Sequence, residues 1–272
     1  MVETRVKNPL IEMRLFQNRS FAADTLVLFC TQFALVGQVV FGAIYMQNVL
    51  GFSPFKAGLG MLPTVVPAVI MAQVAGRIFD RTGVKIPAAI GTALIFAGFF
   101  YQALFLTKES YAWLAPGMAI LGAGAGFVMS PTNTDALSRV PGVLRGQASG
   151  LVQTFRQMGG TVGMAAMGAL VSTLEQGKIS AIIKGIGGGP GHEAILGGLV
   201  KEARDGQVGA LSKVASTYPH LVQELQDAVS LGISGGYFLA GAVMLMGFFV
   251  ALFFMVPGRQ REDPETLTSL PL

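Results

Sequence analysis

The stretch Gly76-Arg77-Ile78-Phe79-Asp80-Arg81-Thr82-Gly83-Val84-Lys85 joins two long apolar runs, one over about 57–78 and one over about 87–106. Each run has about the 20 residues that an α-helix needs to cross roughly 30 Å of hydrocarbon. The charged stretch between them is short enough only for a tight reversal, and Gly83 supplies the backbone freedom for it. Two spanning helices joined by a charged turn are therefore the unit from which the rest of the chain is read.

Working outward, four further apolar runs lie at about 21–49, 113–137, 143–174 and 231–256, which makes six. Of the 272 residues, 52% are hydrophobic and 12% charged, against about 25% charged in a soluble domain. Mean hydropathy is +0.58 and there are 36 glycines, a residue enriched in membrane helices. This composition excludes an ordinary soluble enzyme. The length of the runs excludes an outer-membrane barrel, whose strands alternate over about 10 residues. The expected fold class is an all-α membrane protein, a six-transmembrane-helix bundle. The runs at 21–49 and 143–174 exceed a bilayer's thickness and are expected to tilt or protrude.

An even number of spans puts both termini on one side, and basic residues choose the side. Arg5, Lys7, Arg14, Arg19, Arg77, Arg81, Lys85, Arg139, Arg145, Arg259 and Arg261 fall in one set of segments, whereas the short loops of the other set hold only Lys56 and Lys108. Both termini are thus expected in the cytoplasm, with Tyr111 and Trp113 at the outer interface. The division that follows is a cytoplasmic segment at 1–20, five helices within 21–174, an external loop with partial helix at 175–230, a last helix at 231–256 and a cytoplasmic tail at 257–272. Long loops escape the charge rule, so the mixed charges of 175–230 do not oppose this topology. The glycine-rich run 185–191 lies there, as does a short helix expected at 193–204. The first twenty residues lack the apolar core of a cleavable signal peptide, and the single Cys30 allows no internal disulfide.

Several polar residues stand where hydrocarbon is expected. Asp24, Thr31, Gln38 and Tyr45 recur every seven residues, about two helical turns, with Gln32 beside them. The stripe should face the bundle or a water-filled cleft rather than lipid, and both lining a substrate path and hydrogen bonding between helices remain open. Asp24, near the cytoplasmic end, is expected to be solvated, although a buried carboxyl there would take up protons. Arg156 lies about 20 Å along its helix at 1.5 Å per residue. It either lines a transport path or holds a gating ion pair, or else it snorkels to the headgroups or contacts backbone carbonyls. Gly160, Gly163 and Met167 follow it at helical spacing. Gly122 and Gly126, and Gly159, Gly160 and Gly163, permit close helix approach; Pro63, Pro67 and Pro131 permit bends. In the charged turn, Arg77 or Arg81 is expected to pair with Asp135, whose helix ends on the same side; the alternative is a solvated loop.

The pattern Gly76…Asp80-Arg81…Gly83…Lys85 resembles the loop signature of the major facilitator superfamily, between the second and third helices of a six-helix repeat. Further stretches resemble the fourteen-helix drug:proton antiporters of the EmrB/QacA type. They are Asn8-Pro9-Leu10 through Arg19, Tyr45 through Pro54 followed by Ala57-Gly58-Leu59 and Pro63, and Arg145-Gly146-Gln147-Ala148-Ser149-Gly150-Leu151 followed by Arg156-Gln157-Met158-Gly159-Gly160. The resemblance covers nearly all of the chain except the external loop. It implies one half of the superfamily's fold, the C-terminal half, in a bacterial plasma membrane. It also implies proton-coupled efflux of drugs or other amphipathic small molecules, with Gly76, Arg77, Asp80, Arg81, Gly83, Lys85 and Asp135 at a cytoplasmic gate. The first eight helices of that family, and the antiporter signature they carry, are not in this sequence. The rival expectation is a half-length or truncated transporter without activity of its own. Such a chain would serve as a subunit with a separate N-terminal half or a second copy, or as a structural membrane protein. No catalytic triad, phosphate loop or nucleic-acid stripe is present, and His192 and His220 have no metal-ligand spacing. No cofactor, metal or nucleic acid is expected; the expected partners are lipid, protons and an amphipathic substrate.

Overall fold

The computed structural model describes residues 13–185 and 219–258. Its α-helices are α1 (Arg19–Asn48), α2 (Pro54–Gly60), α3 (Leu62–Thr82), α4 (Lys85–Phe105), α5 (Tyr111–Ser138), α6 (Arg145–Gly185) and α7 (Pro219–Phe254). Among the described residues there is no strand. Inside hydrocarbon a chain must satisfy its backbone hydrogen bonds within each segment, and a helix does so. Stacked end to end, α2 and α3 form one span, so the elements make six rods. Five of them are long and apolar enough to cross a membrane: α1, the α2–α3 unit, α4 with its trailing turn, α5, and α7 from Gln226 onward. The sixth, α6, is the longest at 41 residues and the more polar, for a reason that its open face explains below.

Local chemistry sets the ends. Asn18 caps α1 by accepting from the Ser20 N–H at 3.1 Å, and Ser53 caps α2 ahead of Pro54. The break between α2 and α3 falls at Met61, just ahead of Pro63, which has no N–H to give. The Thr64 N–H turns to the Met61 carbonyl at 2.9 Å. That leaves the Gly60 carbonyl to accept from the Tyr111 hydroxyl at 3.1 Å. The helix expected over 143–174 continues to Gly185, and the last helix begins at Pro219. Both ends of the expected 175–230 loop are therefore helical. Residues 186–218, with His192, most of the glycine run and the 193–204 segment, lie outside the described residues, as do 1–12, 259–272 and the side chain of His220.

Packing is reciprocal. The helix α5 lies against α3 and α4, α1 lies against α6 and α7, and the α4–α7 and α1–α5 contacts join the two groups. With lipid as apolar as leucine, close van der Waals fit holds such rods together, and glycines supply the closeness. A Cβ on Gly122 or Gly126 would collide with the α3 backbone at Thr64 and Ala68, and one on Gly159 or Gly163 with the α1 backbone at Phe29 and Phe33. At the α4–α5 crossing, a Cβ on Gly124 would come within 2.6 Å of the Gly91 carbonyl. The core runs through Phe33, Tyr45, Ile95, Phe99, Met118 and Tyr237, and the rings of Phe99 and Tyr237 meet edge to face at 5.3 Å. Burial separates central from peripheral rods: 56% of the apolar window of α5 is buried, against 11% for α2–α3.

Candidate functional site

Antiparallel connection brings the start of α1, the ends of α3, α5 and α7, and the starts of α4 and α6 to one end of the bundle, here called the basic end. Among the described residues, three charged side chains are sealed inside it. Asp24 on α1 is 0% exposed, Asp135 in the last turn of α5 is 1% exposed, and Arg139, the residue that caps α5, is 8% exposed. The Arg139 Nε donates to the Asp135 carboxylate and stands 3.9 Å from Asp24 Oδ2. Its Nη2 donates to the Val256 carbonyl at 3.3 Å, and its own carbonyl accepts from Asn18 Nδ2 at 3.3 Å. One arginine thus ties together the beginning of α1, the end of α5 and the segment after α7.

Two expectations change here. Asp24 is not solvated but buried, because the apolar cluster of Phe21, Leu28, Ala136, Val140, Ala148 and Val152 gathers at this end. Asp135 pairs with Arg139, four residues on, and not with Arg77 or Arg81. The last turns of α3 are peripheral and leave both of those side chains exposed, whereas α5 is central and turns its i,i+4 pair inward. That spacing was the signal in the sequence by which Arg139 could have been found.

The charged turn carries a separate constraint. Gly83 caps α3 at φ 79°, a conformation that favours glycine. A Cβ there would also fall 2.7 Å from the backbone of Gly258, whose N–H donates to the Thr82 carbonyl at 3.3 Å. The turn therefore rests on the same segment after α7 that Arg139 holds through Val256. Asp80 is exposed and Lys85 half-buried. Gly76 faces open space.

The α1 stripe splits by position. The Thr31 hydroxyl returns to the Val27 carbonyl at 2.8 Å, Gln38 Nε2 donates to Gln102 Oε1 at 3.1 Å, and the Tyr45 hydroxyl donates to the Leu106 carbonyl at 2.6 Å. All three side chains are buried, so in this conformation they line no open cleft; Gln38 and Tyr45 tie α1 to α4 and the turn after it, while Thr31 bonds within α1. Gln32 is half-buried beside Gly160 of α6. Sequence reading missed Gln102, the partner of Gln38 on α4. Gln102 is a lone amide in an apolar run, a position that demands a buried partner.

The open side belongs to α6. Gln153, Thr154, Gln157, Met158, Thr161 and Val162 line a groove of about 460 Å³ along it. Arg156 sits at its edge, half-buried. Its Nη1 donates to Gln153 Oε1 at 3.4 Å, and its Nε has no hydrogen-bond partner. Gly163 and Met167, expected on the Arg156 face, turn instead toward α1. One flank of α6 is thus glycine pressed on α1, and the other is open, with Gln153, Thr154, Gln157 and Thr161 set among the apolar Met158 and Val162. Among the described residues no group of His, Cys, Asp and Glu side chains is disposed to hold a metal.

Residues 3–164 match the family model of the Major Facilitator Superfamily, and the chain belongs to that superfamily. It is 27% identical over 274 residues to the tetracenomycin C resistance and export protein of Streptomyces glaucescens, covering 97% of this chain and 49% of that one. It is 28% identical over 171 residues to the multidrug resistance protein Stp of Mycobacterium tuberculosis, covering 63% and 32%. It is 32% identical over 174 residues to the multidrug transporter protein MdtP of Bacillus subtilis, covering 63% and 32%. The chain thus spans about half the length, or less, of these curated relatives. It is a multi-pass membrane protein with the half-bundle architecture of that superfamily.

Proposed function

We propose that this bundle is the C-terminal half of a proton-coupled efflux transporter for drugs or other amphipathic small molecules, of the fourteen-helix EmrB/QacA type. Its basic end faces the cytoplasm. The observation that carries the reading is the two-sided character of α6, tightly seated on α1 through Gly159 and Gly163 yet open along Gln153, Gln157 and Thr161. Polar side chains such as these are unfavourable against lipid, and set beside Met158 and Val162 they suit a cleft that holds amphipathic substrates loosely. The other peripheral span offers Val65, Val66, Val69 and Ile70 to its surroundings. In this superfamily the substrate site lies between two six-helix halves. This body therefore supplies one wall, with Arg156 and Gln32 beside it. The other wall comes from a second six-helix body, whether the preceding part of a longer polypeptide, a separate N-terminal half or a second copy. The names of the relatives, which speak of multidrug resistance, multidrug transport and export, support the substrate class.

The test is accumulation of a fluorescent cationic dye in cells that express the chain alone or together with an N-terminal half, with and without a protonophore. The expected outcome is lowered accumulation with both halves, reversed by the protonophore, and no effect of this chain alone. Asp135→Asn and Arg81→Ala should each abolish most of the difference while membrane insertion is kept. An equal dye level in every arm would reject the efflux reading. Export by this chain alone would instead favour pairing of two copies.

A further inference from the structure

We propose that Asp24, Asp135 and Arg139 form a binding site for a single proton at the basic end, with Asp24 and Asp135 sharing the proton and Arg139 reporting its presence to the segment after α7. The use of the site in transport rests on the proton-coupled reading above; its existence does not.

Three observations lead to it. The first is charge. One guanidinium balances one carboxylate, and two face it. Among the described residues, the charged groups that act on Asp24 are Asp135 from α5 and Arg139 at its cap. The preceding segment and α6 contribute apolar side chains here, among them Leu15, Ala148 and Val152, and the segment after α7 contributes a carbonyl. Arg19 and Arg145, which begin α1 and α6, are both exposed. With both carboxyls ionised the enclosure would hold a net negative charge in a low-dielectric wall, an arrangement that costs several kcal/mol by order of magnitude; one bound proton removes it. The second observation is the set of orphan atoms. Asp24 is 0% exposed, and neither its Oδ1 nor its Oδ2 has a hydrogen-bond partner, nor does Asp135 Oδ1. Arg139 donates to Asp135 and to Val256, but its Nε stands 3.9 Å from Asp24 Oδ2, beyond hydrogen-bond distance, and no Arg139 N–H is bonded to Asp24. Both carboxyls stand against the same Nε of Arg139, but two carboxylates are acceptors only, and a proton on one creates the missing donor. The third is mechanical. Arg139 grips Val256, and two residues on Gly258 holds Thr82 and seats Gly83. Loss of the proton leaves two carboxylates competing for the one guanidinium. Drawn toward Asp24, now 3.9 Å away, Arg139 would loosen its hold on Val256 and, through Gly258, on the charged turn. The step balances simply: the Asp24–Asp135 pair releases one proton to water at the basic end and gains one negative charge, which Arg139 then bridges.

The test is infrared spectroscopy of the purified chain in lipid nanodiscs during a pH titration, in a Glu109→Gln background that removes the carboxyl pair at the other end. The expected result is one protonated-carboxyl band per chain near neutral pH. Asp24→Asn should abolish it, and so should Asp135→Asn, because the carboxylate left alone with Arg139 ionises. Should Asp24→Asn fail to fold, Asp24→Glu keeps the proton and should move the band. The absence of any such band near neutral pH, or a band unmoved by both Asp24 variants, overturns the site. The measurement involves no transport, so a present band with no dye efflux would sink the transport reading alone.

Discussion

Each end of the bundle holds a pair of carboxyls, and the two pairs are built differently. At the basic end Asp24 and Asp135 are sealed from water and joined by Arg139. At the opposite end Glu109, half-buried in the turn between α4 and α5, stands beside Asp227, which is exposed near the start of α7. Among the described residues neither Glu109 nor Asp227 forms a salt bridge, and the nearby Lys108 lies over the rings of Phe105 and Trp113 instead. The difference teaches how exposure sets the need for counter-charge. Water screens a surface pair, whereas a buried pair needs a cation, a proton or both. Partial burial, with the Asp227 carboxyl beside it, still holds Glu109 above the usual carboxylate range.

The contrast is most directly broken at Arg139. Arg139→Ala leaves two buried carboxyls without their cation and should lower unfolding stability in detergent by about 3–5 kcal/mol. A change below about 1 kcal/mol would mean that the basic-end pair is no more demanding than the surface one. Next in size is the seat of α6 on α1, which frames the basic end. Gly159→Leu forces a side chain into the Phe29 backbone and should cost about 1–3 kcal/mol in the same assay; an unchanged transition would show that α6 is not seated there. A smaller effect, opposite in sign, is expected at Glu109. Its folded-state value is raised, so its protonated form is the one the fold favours. Stability from that form is complete below the ordinary carboxylate range, about pH 4.3, and is lost as the pH rises above it. Glu109→Gln should therefore raise the melting temperature at neutral and alkaline pH and leave it unchanged in acid. A gain that persists in acid would assign the effect to something other than ionisation. Smallest is Arg156→Ala. Among the described residues this arginine has no carboxylate partner, and it donates to Gln153, so insertion and stability should stay within about 0.5 kcal/mol of the parent. Loss of inserted protein would make it structural.

Much of the architecture was legible in the sequence for a simple reason. Hydrocarbon about 30 Å thick imposes a length and an apolarity on each span, and both can be counted. The runs at 87–106 and 113–137 differ from α4 (Lys85–Phe105) and α5 (Tyr111–Ser138) by two residues or fewer at each end. The need for glycine at 83 was legible too, because a tight reversal has few chemical solutions. What could not be read was orientation about the helix axis and the identity of partners. The seven-residue stripe placed Asp24, Thr31, Gln38 and Tyr45 on one face, but Gln102 and Leu106, which complete two of its bonds, come from α4 and the turn after it, more than sixty positions away. The sequence offered Arg77 and Arg81 to Asp135, and the structure took Arg139.

By itself, then, the sequence determined that this chain spans a membrane several times, where its spans lie and how its charged turn reverses. Those properties follow from local composition against a solvent of fixed thickness. Tertiary packing alone decided which polar groups are sealed and which face the open side: Asp24 inside with Arg139, Gln153 and Gln157 outside on α6. Burial belongs to the neighbours a residue acquires, and it is the approach of α1, α5 and α6, set by glycines and apolar side chains, that turned a carboxyl expected in water into part of a closed charge cluster.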